Sequence, residues 1–175
     1  FVVTNAGRKK RGIHMSRKRK QKKESSRRRV ILLSGGVDSA YLLSKYHVPF
    51  NTICLYVNYG HPSHRQEFRS AVHICSEYRV ALSTICTNMD TSKMRIGQQE
   101  AGPRVVPARN IVFCALAANH FPNTDIYLGC TKNDFNEYAD CRKEFIDSIS
   151  LLLQTCSGNR VFAPLLEISK EEIIV

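Results

Sequence analysis

Short continuous apolar runs alternate along this chain with longer stretches in which polar and apolar positions mix. Val30-Ile31-Leu32-Leu33 has no polar position, as a strand covered on both faces requires. Thr52-Ile53-Cys54-Leu55-Tyr56-Val57 reads the same way, and positions 80–86, 125–129 and 160–163 supply three further strands. Helices are expected over 38–46, 64–78, 107–121 and 142–155, with Pro107 in a first-turn position. A last helix starts after Ser169, where Glu172 completes a capping box. Residues 87–106 are polar, contain Gly97, Gly102 and Pro103, and read as a long loop. Strand and helix alternate, so the fold class is α/β: a parallel sheet with helices on both faces, Rossmann-like.

Charge changes this picture at one end. The net charge of +11 suggests a nucleic-acid binder, but residues 1–29 hold thirteen Lys and Arg against one acid, Glu24. The other 146 residues hold thirteen against fourteen. Two regions follow: a basic tail over 1–29, expected to be disordered, and a near-neutral folded domain over 30–175. The tail suits nonspecific contact with nucleic acid or an acidic surface, or serves solubility or targeting. Met15 is a candidate natural start. No apolar run has the length of a membrane span, and no secretory layout opens the chain. Seven cysteines at wide spacings, with no C-x-x-C pair, read as free thiols in a reducing cytoplasm.

The sharpest chemical signal is Ser34-Gly35-Gly36-Val37-Asp38-Ser39, between the first strand and the first helix. Paired glycines let backbone N–H groups approach a ligand, and the helix start adds its positive dipole end. Ser34 and Ser39 add hydroxyls, and Asp38 either caps the helix or helps hold Mg²⁺ beside a phosphate. The lysine and spacing of a Walker loop are absent. The bland alternative is a strand-to-helix turn.

This loop resembles that of the PP-loop (adenine-nucleotide alpha-hydrolase) enzymes, which cleave ATP between the α and β phosphates to adenylate a substrate oxygen. Val106-Pro107-Ala108-Arg109-Asn110 is similar to the V-P-G-R-N segment of the 7-cyano-7-deazaguanine synthase (QueC) family. Tyr59-Gly60-His61 with His64 and Glu67 is similar to its Y-G-Q-x-H-x-x-E-L stretch. Asn133-Asp134, Tyr138, Asp140-Cys141-Arg142 and Glu144-Phe145-Ile146 resemble its central block, and Ala163-Pro164-Leu165 with Lys170 and Glu172 its T-P-L…T-K-x-E-I segment.

The resemblance implies an ATP-dependent ligase that converts 7-carboxy-7-deazaguanine and ammonia into 7-cyano-7-deazaguanine (preQ0) for queuosine or related deazaguanine modification. It implies ATP and Mg²⁺ as cofactors and a homodimer. The implied catalytic residues are Asp38, Arg109 and Lys170, the two cations answering phosphate charge. The implied substrate residues are Tyr59, His64, Glu67, Asn133, Asp134, Tyr138, Asp140 and Arg142. His64 and Glu67 share a helix face and either orient substrate or move protons, while Asp140 either binds substrate or caps a helix. The family's zinc-binding cysteine cluster has no counterpart here, so the carboxyl end reads as incomplete or divergent, as do Ala108 for Gly and His61 for Gln. Two other functions fit the residues: adenylation of another carboxylate, on a protein terminus or in a defence or viral pathway, and a non-catalytic nucleic-acid or protein-binding module.

Overall fold

The computed structural model describes residues 27–89 and 106–174. Five strands form one parallel sheet: β1 (Arg29–Leu32), β2 (Thr52–Asn58), β3 (Ala81–Cys86), β4 (Asp125–Tyr127) and β5 (Arg160–Phe162). The main helices are α1 (Val37–Tyr46), α2 (His64–Tyr78), α3 (Arg109–His120) and α5 (Lys143–Ser157). Two short ones, α4 (Asp134–Glu137) and α6 (Lys170–Ile174), complete the set with a 3₁₀ turn over Ala139–Cys141.

The strands lie in the order β3-β2-β1-β4-β5, with β1 paired to both β2 and β4. The first run of residues shows why a continuous apolar strand is needed here. Side chains alternate across a strand, so Val30 and Leu32 enter one core and Ile31 and Leu33 the other. Leu42 and Leu43 of α1, Ala71 and Cys75 of α2 and Ile173 of α6 cover the Ile31 face. Cys114, Ala117 and Ala118 of α3, with Ile146, Ile149 and Leu153 of α5, cover the Val30 face. Ile31, Leu33, Leu42 and Leu43 are fully buried, each contributing about 1.5–3 kcal/mol of transfer free energy.

The folded unit starts earlier than residue 30. Arg29 belongs to β1, and Arg27 lies 3.1 Å from the Asp125 carboxylate, a charge contact rather than a well-directed hydrogen bond. Arg160 grips the same Asp125 bidentately, at 2.9 and 2.7 Å. The rest of the expected tail, 1–26, and residues 90–105 of the expected loop lie outside the described residues. Pro107 is not in the first helical turn. The Arg109 N–H donates to Val106 O, closing a four-residue turn with Pro107 and Ala108 at its centre, and α3 begins only at Arg109. The capping box at Ser169 forms: Ser169 N–H donates to Glu172 Oε2 at 2.8 Å, and Glu172 N–H to Ser169 Oγ at 3.4 Å.

The chain moves outward from β1 to β2 and β3, then returns to the other side of β1 at β4. Helices on either flank therefore diverge at the carboxyl ends of β1 and β4, which opens a crevice there.

Candidate active site

The loop after β1 occupies that crevice. Gly35 has φ +83°, a left-handed conformation that costs a residue with a Cβ about 1–2 kcal/mol. A Cβ at Gly35 would also lie 2.3 Å from the backbone oxygen of Glu67, so the loop can pass α2 only with glycine here. Hydroxyls brace the turn. Ser34 Oγ accepts from the Gly36 N–H at 3.3 Å and lies 3.1 Å from Ser39 Oγ, which donates to Gly36 O at 3.0 Å. The start of α1, at N-cap Gly36, has no side-chain cap. Its first N–H groups have no intrahelical acceptor and so suit an anion.

Asp38 is therefore not the cap of α1. Its carboxylate turns to Lys170, with Oδ2 3.8 Å from Nζ. Lys170 also lies 3.4 Å from Asp134 Oδ1, while Asp134 Oδ2 accepts from Thr131 N–H at 2.9 Å and its hydroxyl at 2.8 Å. Asn133 acts on the backbone, where its Oδ1 accepts the Lys170 N–H at 2.9 Å. Burial pushes the Asp38 carboxyl above its ordinary range; the Lys170 charge opposes that rise and the Asp134 charge adds to it. For Lys170 burial works against the charge, but Asp134 and Asp38 outweigh it and raise the ammonium above the usual lysine value.

Beside this triad lies a cavity of about 300 Å³, at the small end of the range for small-molecule sites. Ser34, Asp38, Ser39, Tyr59, Glu67, Arg109, Asp134 and Tyr138 all line it, so half of the residues expected from sequence converge there. Arg109 is half-buried, and Tyr59 and Asp140 lie close enough to act on its charge. Burial alone would lower its charge affinity, but Tyr59 and Asp140 more than offset this and its pKa rises. Tyr59 packs against Phe113 with ring centroids 5.4 Å apart, giving the cavity an aromatic wall.

Four expected site residues stand elsewhere. His64 lies in a neighbouring depression with Phe68 and Arg69, its Nδ1 2.9 Å from His61 O. Glu67 Oε1, in the cavity, lies 3.6 Å from His61 Nδ1. Asp140 backs the start of α3, where its Oδ2 accepts the Asn110 N–H at 3.2 Å. Arg142 donates from Nε to Phe135 O on the outside, and Asn133 caps α6 as described. Gly35, Gly36 and Val37 contribute backbone, and the Val37 side chain is exposed.

Sequence reading missed Asn110 as a site residue, although it named the Arg109-Asn110 segment. Asn110 is buried and donates from Nδ2 to Asp140 O at 3.1 Å and to Cys141 Sγ at 3.7 Å, tying α3 to the 3₁₀ turn. Phe113, Cys130 and Cys141 also line the cavity. Among the described residues, no three His, Cys, Asp or Glu side chains converge to hold a metal ion. A cation here would share its coordination with substrate oxygens, as Mg²⁺ commonly does. No helix among the described residues is long and apolar enough to cross a membrane.

A family model described as queuosine biosynthesis protein QueC matches residues 28–175. The chain is 31% identical to the 7-cyano-7-deazaguanine synthase of Nitrosomonas europaea, covering 81% of this chain and 72% of that protein. It is 33% identical to the synthase of Myxococcus xanthus, covering 81% and 73%. Among solved structures, a predicted subunit of tRNA methyltransferase from Methanocaldococcus jannaschii superimposes with a TM-score of 0.58 at 18% identity. That match covers 85% of this chain and 72% of the other, and it speaks to the fold alone. On the family match and these identities, the chain belongs to the QueC family of queuosine biosynthesis proteins.

Proposed function

We infer that this chain is an ATP-dependent ligase that converts 7-carboxy-7-deazaguanine and ammonia into 7-cyano-7-deazaguanine. The substrate carboxylate attacks the α-phosphate of ATP and releases pyrophosphate. Ammonia displaces AMP to give the amide, and a second activation allows dehydration to the nitrile. The observation that carries this reading is the uncapped start of α1 at the Ser34–Ser39 loop, facing a cavity that also holds Arg109 and borders Lys170.

The residues have separable roles. The α1 amino end and the Ser34 and Ser39 hydroxyls hold phosphate oxygens. Lys170 is balanced between two carboxylates at 3.8 and 3.4 Å, and a polyphosphate draws its charge away from them. Arg109, across the cavity and beside Tyr59, answers the charge that builds on the reacting carboxylate. The Tyr59–Phe113 wall offers a face on which a planar base stacks. Asp38 and Asp134 each direct an oxygen at the same ammonium, so the pair fits a cation at that point. Mg²⁺ would be held there, where it neutralises phosphate charge.

The test is incubation with ATP, Mg²⁺, ammonium and 7-carboxy-7-deazaguanine, with AMP and the nitrile followed by mass spectrometry. Both products are expected. AMP formation indifferent to the deazapurine carboxylate would reject this substrate, and no AMP with any carboxylate would reject the enzyme.

A further inference from the structure

Amide formation needs a neutral nitrogen nucleophile, yet in neutral water ammonia is almost entirely ammonium. A site that uses it has to attract a small cation and then remove its proton. Three carboxylates line the cavity: Asp38, Glu67 and Asp134. Asp38 and Asp134 face Lys170. Glu67 is different. Among the described residues it has no lysine or arginine partner, and its one charged-group contact is His61 Nδ1 at 3.6 Å. That nitrogen already accepts the Ser63 N–H at 3.1 Å, so its single lone pair is engaged there and it has no proton to donate to Glu67. Nearby Tyr56 spends its hydroxyl proton on His64 O at 2.9 Å. Glu67 Oε1 thus keeps its acceptor capacity.

The turn that carries this carboxylate is held in place. The Glu67 backbone oxygen abuts Gly35, which locks the first turn of α2 against the nucleotide loop. Tyr56, Tyr59 and Phe113 line the same cavity.

We propose that Glu67 is the ammonium-binding and proton-accepting residue of this site, a claim that rests on the ligase reading above. Ammonium donates to Glu67, gives it one proton and attacks as ammonia. The C–N bond forms as the C–O bond to the AMP phosphate breaks. The phosphate leaves with the electron pair and accepts the second proton shed by the new amide nitrogen.

Hydroxylamine separates this role from structural ones, because it is mostly free base at neutral pH and needs neither cation capture nor deprotonation. In the full chain, Glu67→Gln is expected to lower ammonium-supported amide formation by about 10²-fold or more. Hydroxylamine-supported hydroxamate formation should fall far less than amide formation, so the ratio of the two products changes, and an unaltered thermal unfolding midpoint shows that the variant folds. Glu67→Asp, which keeps the charge, should recover part of the ammonium activity. Amide and hydroxamate falling together, or an unchanged KM and kcat for ammonium, would overturn the assignment. ATP–pyrophosphate exchange that depends on the deazapurine carboxylate reads the substrate, and nucleophile preference reads Glu67, so the two claims can fail separately.

Discussion

Ala108 sits where glycine is expected, and the backbone shows what that costs. Its φ and ψ are 59° and 19°, the left-handed region, at the third position of the turn that the Arg109 N–H to Val106 O bond closes. A turn with proline second and positive φ third is type II, for which glycine is the favoured third residue. Holding alanine there costs about 1–2 kcal/mol. Ala108→Gly removes that strain but returns about 0.4–1 kcal/mol of conformational freedom to the unfolded chain. The side chain is exposed, so little packing is lost. At the middle of both ranges the net expectation is stabilisation by about 0.8 kcal/mol. For a chain of this size that raises Tm by about 1–4 °C. Calorimetry measures it, and urea unfolding should show a higher midpoint at unchanged slope. A Tm equal to or below that of the parent protein would refute the strain argument. Arg109 and Asn110 follow this turn directly, so the same variant reports whether relaxing it disturbs the site.

Gly35→Ala should act in the opposite direction: left-handed strain and the 2.3 Å approach to Glu67 O together cost about 2–5 kcal/mol and displace the loop. Thermal unfolding and ATP–pyrophosphate exchange should both fall, and a variant equal to wild type in both would contradict the close approach. Lys170→Met leaves Asp38 and Asp134 without their shared cation and removes a phosphate contact, so adenylation is expected to drop by about 10²–10³-fold, with unchanged exchange kinetics as the opposing result. Thiol labelling at pH 8 should modify Cys86 and Cys156 first, because they are exposed. Cys114 is pushed up to about 12, first by burial and then by Asp140, and should stay unlabelled until the chain unfolds. Rapid native labelling of Cys114, read by peptide mass spectrometry, would show that the core opens there.

Features that depend on neighbours along the chain were legible in the sequence. The unbroken Val30–Leu33 run announces a strand with two covered faces, because alternation sends its side chains both ways. The paired glycines announce a tight turn, and Ser169 with Glu172 a capped helix, each within a few residues. The four-residue α4 was not legible, since it is shorter than any period that could mark it. Nor were the partners that define the site. Asp38 read from its position as a cap or a Mg²⁺ holder, but its Lys170 neighbour could not be read, since the return of the chain to β4 and β5 brings that residue beside β1. Helical spacing puts His64 and Glu67 on one face, but only the turn before α2 brings His61 within 3.6 Å of the Glu67 carboxylate. Asp140 read as a substrate contact or a helix cap, and only the packing of the 3₁₀ turn against α3 places it on the Asn110 N–H. Local propensity acts between residues a turn apart and is written in the sequence. The contacts that join Asp38 to Lys170, or Asp140 to Asn110, exist only because the β3-β2-β1-β4-β5 order folds distant segments onto the carboxyl ends of β1 and β4.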